Sequence, residues 1–325
     1  MKNLPVIWLL AVVFVSGVCK DGRAQEGPKQ PLRLVQTISM PNVKGRLDHM
    51  DGDVNGKHLF VAGLENGTLE VVDLRAGKWM RSIPGFKKPQ GALFVPELNK
   101  LFVACGDDAM LRVFKSDTLD LLDSIQLERG PNRVVYEPHT KLVYVGCGGK
   151  DAGKDYGEVG IIDATDDKHI ADIKVSAHPS ELLLNKLGST LFVFISVANQ
   201  LQVVDTAKRQ VVSTWKVSSE RPGDAALDES TSRLFAGTRT PPEMIVMDAQ
   251  SGMKSFTFRP QRVWTEFIST PSASAFTYRE AESCRMDSLS SINRRMSITT
   301  SFSEKSLPAP VLAHRSGQQN LIGTL

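Results

Sequence analysis

Only four of the 325 residues are cysteine, and none stands in a Cys-x-x-Cys or Cys-x-x-Cys-His spacing, which removes covalent haem and the common zinc folds. Glycine-rich phosphate loops, a Gly-x-Ser-x-Gly nucleophile elbow and a His-Glu-x-x-His helix are all missing as well. Charge of one sign is scarce: Lys and Arg total 39 against 36 Asp and Glu, a formal +3, with no like-charged block and no interleaving of basic and aromatic residues. Electrostatics therefore give no support for a nucleic-acid partner or a membrane surface. Aromatic residues are sparse at 7%, while the 41% hydrophobic share suits an ordinary globular core.

Long hydrophobic runs are also absent, apart from Leu4 to Val18 at the N-terminus, which follows Lys2 and precedes the small-x-small triplet Gly22-Arg23-Ala24. That run is too short for a bilayer and lacks a stop-transfer flank, so residues 1–24 read as a secretory signal released before Gln25. A periplasmic or secreted protein without a transmembrane anchor is expected. Cys19 raises lipid anchoring as the alternative, but Val18 is a poor residue immediately before a lipidated cysteine.

What the chain does have is a repeat of about 42 residues. Leu59-Phe60-Val61-Ala62 recurs as Leu101 to Ala104, then as Val143 to Gly146, Leu191 to Phe194 and Leu234 to Gly237. Roughly a dozen residues after each comes a second apolar strand: Leu69 to Asp73, Leu111 to Phe114, Val159 to Asp163, Leu201 to Asp205 and Ile245 to Asp248. Short strands at such a period predict an all-β fold, a β-propeller of four-stranded antiparallel blades, with five blades recognisable over residues 32–258. Pro89, Pro131, Pro179 and Pro222 each stand just ahead of an expected innermost strand, and Asn55-Gly56 and Asn66-Gly67 supply turns. Innermost strands are expected near Leu47, Gln90, Val134, Glu181 and Ala225. Asp73, Asp163, Asp205 and Asp248 are expected to form turns after the third strands. Cys105 and Cys147 occupy equivalent places in adjacent blades, which diverge from the axis, so both are expected as buried free thiols.

The Leu-Phe-Val-Ala strands, the Val-Val-Asp and Ile-Ile-Asp strand ends and the blade-opening His178-Pro179 resemble the YVTN-repeat, YncE-like seven-bladed propellers, over about Leu32 to Gly252. The resemblance implies an exported propeller that binds proteins or other macromolecules and shares no catalytic motif. After Gly252 the pattern stops and the sequence turns Ser-rich and prefers Arg to Lys. The codons permitted from Met253 onward, taken one base later, allow the string EKLHLPAPAGLDGVYFD. Further blade-like strings follow over Ala275 to Ala281, Met286 to Arg294 and the end of the chain. Residues 259–325 are therefore expected to be an irregular, out-of-frame tail that replaces two blades of a seven-bladed parent. Leu32 to Met40, with alternating apolar residues, is expected to be the strand that closes such a ring, either on the last blade or, in its absence, on blade five.

In a propeller the first residues of the innermost strands converge on the channel mouth. That rule makes His49, Asp51, Gln90, Asn132, His178, Glu181 and Asp224 the candidate ligand-binding residues, with Asp48, Arg133 and Arg221 beside them. No cofactor is called for, and a metal is left open. Two functions compete: a monomeric, non-catalytic exported binding module, and a lactonase-type hydrolase that uses His and carboxylates at the mouth to hold a divalent metal.

Overall fold

The computed structural model describes residues 36–53 and 58–259, and the backbone of four short strands further along the chain. After β1 (Gln36–Met40) come five four-stranded antiparallel sheets in simple up-and-down order. Blade one comprises β2 (Met50–Gly52), β3 (His58–Gly63), β4 (Thr68–Asp73) and β5 (Lys78–Pro84). Blade two comprises β6 (Pro89–Val95), β7 (Lys100–Cys105), β8 (Met110–Lys115) and β9 (Leu121–Gln126). Blade three comprises β10 (Val134–Glu137), β11 (Leu142–Gly148), β12 (Gly157–Asp163) and β13 (Lys168–Val175). Blade four comprises β14 (Glu181–Leu184), β15 (Thr190–Ile195), β16 (Gln200–Asp205) and β17 (Gln210–Lys216). Blade five comprises β18 (Ala225–Asp228), β19 (Arg233–Arg239), β20 (Pro242–Asp248) and β21 (Lys254–Phe258).

The two middle strands of a blade read as continuous apolar runs because a neighbouring blade covers each face. The outer strand instead alternates, as β17 does from exposed to half-buried along its length. The core is thus a series of layers between blades rather than one centre. Phe60, Leu69 and Val71 pack on Leu101, Val103 and Cys105; Phe102 and Val113 pack on Val134, Val143 and Ile162. Tyr144, Ile161 and Ile173 meet Leu191, Val193 and Val204, and Phe192 and Phe194 meet Leu234, Ala236 and Ile245. Each Val, Leu, Ile or Phe side chain among them contributes about 1.5–3 kcal/mol on burial. Innermost strands touch in sequence, β2 with β6, β6 with β10, β10 with β14 and β14 with β18, so the sheets fan around one axis as a β-propeller.

Four innermost strands begin where the repeat predicts. The first is shorter than Leu47 to Asp53, because the backbone of His49 leaves its own blade: its N–H donates to Gln90 O in blade two (3.1 Å) while its carbonyl still accepts from Ala62 (3.0 Å). Turn chemistry follows the sequence. Gly67 adopts φ +68° at the β3–β4 turn, and Asn55-Gly56 lies outside the described residues. Beyond the third strands, Asp73 accepts from Ala76 N–H (2.7 Å), Asp163 from Thr165 (2.8 Å), Asp205 from Lys208 (2.9 Å) and Asp248 from Ser251 (2.8 Å). In all five blades the pairing of third and fourth strands slips by a residue at one equivalent point, a β-bulge at Val71/Val72, Val113/Phe114, Ile161/Ile162, Val203/Val204 and Val246/Met247. Cys105 and Cys147 lie within the second strands and are buried and free, and burial pushes both thiols up to about 12.

The closing strand behaves differently from expectation. β1 buries Ile38 and Met40 against Val43, Val61 and Val72 of blade one, and it pairs antiparallel with β25 (Gln319–Gly323), from Gln36 opposite Gly323 to Met40 opposite Gln319. Its partner is the chain's own far end, not blade five. β22 (Phe267–Ser269), β23 (Ala275–Tyr278) and β24 (Ser297–Thr300) form a sheet in which β23 and β24 run parallel, unlike any blade. β22 to β25, with Arg259, are the described part of the segment expected to be irregular; the rest of that segment, and the 1–24 signal segment, lie outside the described residues.

Candidate functional site at the channel mouth

All five blades contribute to a cavity of about 670 Å³ where the innermost strands begin. Blade one supplies Arg46, Asp48 and His49, blade two Gln90, and blade three Asn132 and Arg133; blade four supplies Ser180, Glu181 and Ser196, and blade five Arg221, Asp224 and Arg239. Five of the seven sequence-derived candidates, His49, Gln90, Asn132, Glu181 and Asp224, therefore share one space.

The other two do not line it. Asp51 turns toward blade two, where its carboxylate accepts from Phe94 N–H (2.8 Å) while also accepting from its neighbour Gly52 (2.8 Å). It is a tie between blades, and burial raises its pKa against these bonds. His178 turns back on blade three, with Nδ1 3.0 Å from Gly148 O. It packs so closely on Gly149 that an added Cβ there would lie 2.7 Å from the His178 Cβ. Its place at the mouth is taken by Ser180, whose hydroxyl donates to Phe194 O (3.0 Å), and by Ser196, which donates to Pro222 O.

Arg133 organises the centre. Its Nη1 donates to His49 Nδ1 (3.0 Å) and its Nε forms a 2.7 Å ion pair with Glu181 Oε1. The Nε hydrogen is not aligned on the carboxylate, so that second contact is electrostatic. Because an arginine only donates, His49 must accept at Nδ1 and carry its proton on Nε2. Burial, reinforced by the charges of Arg133 and Arg46, holds the imidazole down to about 3, so it stays neutral at physiological pH. Glu181, only 3% exposed, moves the other way: burial lifts it to about 7 against the pull of Arg133, and Asp224 adds to the rise. Asp48 is raised too, by burial first, with Arg46 opposing. Arg46 Nη2 donates to Asp48 Oδ1 (3.3 Å), whereas Asp48 Oδ2 and Asn132 Oδ1 are buried with no hydrogen-bond partner. Among the described residues no group of three or more His, Cys, Asp or Glu side chains is arranged to hold a metal ion.

Arg46, Arg239, Ser180 and Ser196 were not anticipated. Ser196 and Arg239 come from the far ends of second strands, and the antiparallel ladder sets those ends beside the starts of the first. The signal was available in the strand pattern: Gly237 N–H donates to Asp224 O (3.0 Å), which places the end of β19 at the mouth.

No protein-family model matches the chain, and no curated protein sequence matches it. Among solved structures it is similar to the hydrazine synthase of Kuenenia stuttgartiensis, a propeller-containing protein, with TM-score 0.54 and 15% identity over 71% of this chain and 67% of that one. At that identity the likeness is one of fold. Propellers host many unrelated functions, so the site has to carry the functional reading. Among the described residues no helix is long and apolar enough to cross a membrane.

Proposed function

We propose that this chain is an exported, non-catalytic propeller of the YVTN-repeat, YncE-like kind, monomeric, whose channel mouth binds a ligand or the projecting group of a macromolecular partner. The observation that carries this reading is the bridge His49–Arg133–Glu181. A guanidinium already occupies the space between the imidazole and the carboxylate, satisfies the ring nitrogen that faces it and repels a second cation. A metal-dependent lactonase needs those same groups free. The hydrolase reading keeps one support, a Glu181 poised near neutrality, as a general acid or base would be.

Elemental analysis and lactone hydrolysis by the intact chain separate the two. The binding module shows no stoichiometric divalent metal and no turnover, and native mass spectrometry after incubation with a small-molecule cell extract shows an adduct that Asn132→Leu abolishes. One equivalent of metal, lost together with lactonase activity in His49→Ala, would establish the hydrolase instead. Export predicts a mature N-terminus at Gln25. Residues 259–325 belong to this proposal as out-of-frame peptide, which the coding DNA past Gly252 tests directly.

A further inference from the structure

The mouth combines two unmet requirements of opposite sign. Asp48, with a side chain 9% exposed, keeps one buried carboxylate oxygen, and Asn132 its buried amide oxygen, without a well-aligned hydrogen bond, although Gln90 lies near the first residue and His49 near the second. Asp224 lies close enough to raise the pKa of both Asp48 and Glu181, so three carboxylates share one field. Against them stand four arginines. Two, Arg46 and Arg133, are engaged with Asp48 and Glu181. The other two, Arg221 and Arg239 on blade five, are exposed and form no side-chain ion pair or hydrogen bond with any described residue.

A simple cation would satisfy Asp48 and Asn132 but meet the surplus of arginine. A simple anion would satisfy Arg221 and Arg239 but face the three carboxylates. We propose that the channel mouth takes a small zwitterion, an amino-carboxylate whose ammonium group donates to Asp48 Oδ2 and Asn132 Oδ1 and whose carboxylate lies on Arg221 and Arg239. This inference rests on the reading of the mouth as a binding site and specifies its ligand. An ammonium offers three N–H donors, enough for both orphaned oxygens, and a paired carboxylate suits the forked guanidinium. The cavity, about 670 Å³, accommodates a molecule of amino-acid to dipeptide size.

The test is calorimetric titration of the full chain with three matched series: the ω-amino acids from glycine to 6-aminohexanoate, the corresponding unsubstituted carboxylates, and the corresponding alkylamines. At least one amino acid is expected to bind about tenfold or more tightly than both of its matched partners, as a lost charge-assisted contact implies. Asp48→Asn should abolish the preference over the carboxylate, and Arg221→Gln the preference over the amine; thermal denaturation checks that each variant folds. If Asp48→Asn fails to fold, Arg221→Gln, at an exposed position, carries the test alone. Carboxylates that bind as tightly as the amino acids would make the mouth an anion site and overturn the zwitterion, while the binding-module reading stands. No binding in any series overturns the zwitterion too, and the extract experiment then decides whether the mouth binds anything.

Discussion

The same residue type does opposite work at the two ends of a blade. At the rim where third strands end, Asp73, Asp163, Asp205 and Asp248 sit near solvent and are held below the usual carboxylate range, Asp73 chiefly by the backbone N–H of Ala76 and the others chiefly by the side chains of Thr165, Lys208 and Ser251, with backbone N–H groups adding to each. At the opposite rim, where first strands begin, Asp48 and Glu181 are buried, incompletely bonded and raised. The chain spends satisfied carboxylates on architecture and leaves unsatisfied ones around its cavity. Unmet polarity in a buried site is the physical mark of something the fold does not itself complete.

The largest expected effect breaks the contrast at the mouth. Arg133→Met leaves Glu181 buried without its cation, which should cost about 3 kcal/mol at pH 8. The loss should shrink at pH 5, where Glu181 takes up a proton and needs no partner. Chemical denaturation at the two pH values measures both, and an equal loss at each would show that Glu181 does not titrate near neutrality.

A second experiment sharpens the comparison within the mouth, because its two titrating groups pull stability in opposite directions. Glu181 at about 7 lies above its ordinary 4.5, so between these values the native state keeps a proton that the unfolded chain has lost, and stability falls as pH rises. His49 at about 3 lies below its ordinary 6.5, so the unfolded chain binds a proton that the native state refuses, and stability falls as pH falls. The two largely cancel between about pH 4.5 and 6.5, Glu181 contributing on the order of 3 kcal/mol and His49 on the order of 5 kcal/mol over their full windows. Glu181→Gln should leave stability rising with pH through that range, and His49→Asn should leave it falling. Parallel profiles for the two variants would refute the assignment.

The smallest effect belongs to the turn rim. Asp163→Ala removes two short contacts to Thr165, one of them to its backbone N–H, and should lower Tm by roughly 2 °C at pH 7. Its folded pKa lies below the ordinary value, so the contribution is complete above about pH 4 and disappears as pH falls through the folded value. A Tm difference that persists at pH 2 would mean that the turn does not depend on the charge.

The architecture was legible because repetition is redundant: five copies of Leu-Phe-Val-Ala or a close variant, four of them with an Asp-terminated partner strand, fix strand, turn and period together. The mouth was legible where a residue's direction follows from its place at a strand start, as with Gln90, Asn132, Glu181 and Asp224. It failed where a side chain found a nearer partner, Asp51 on the Phe94 amide and His178 on the Gly148 carbonyl, since neither bond leaves a trace in the local sequence. Arg46 lies just before a strand whose regular ladder starts late, so strand counting passed over it. The partner of β1 was unreadable for another reason: β25 lies in the stretch where the repeat has ended.

The slip that recurs between third and fourth strands bears on how copies of this protein meet one another. Outer strands carry exposed Met80, Leu121, Leu122, Ile170 and Val212, and among the described residues each of these strands stands at the end of its sheet. A straight edge of that kind is a template for a neighbouring molecule's strand. The bulge adds local twist and interrupts the even spacing of donors and acceptors, so two such edges cannot align over more than a few residues. The irregularity repeated in every blade thus acts against edge-to-edge pairing between molecules, where apolar side chains stand on the periphery.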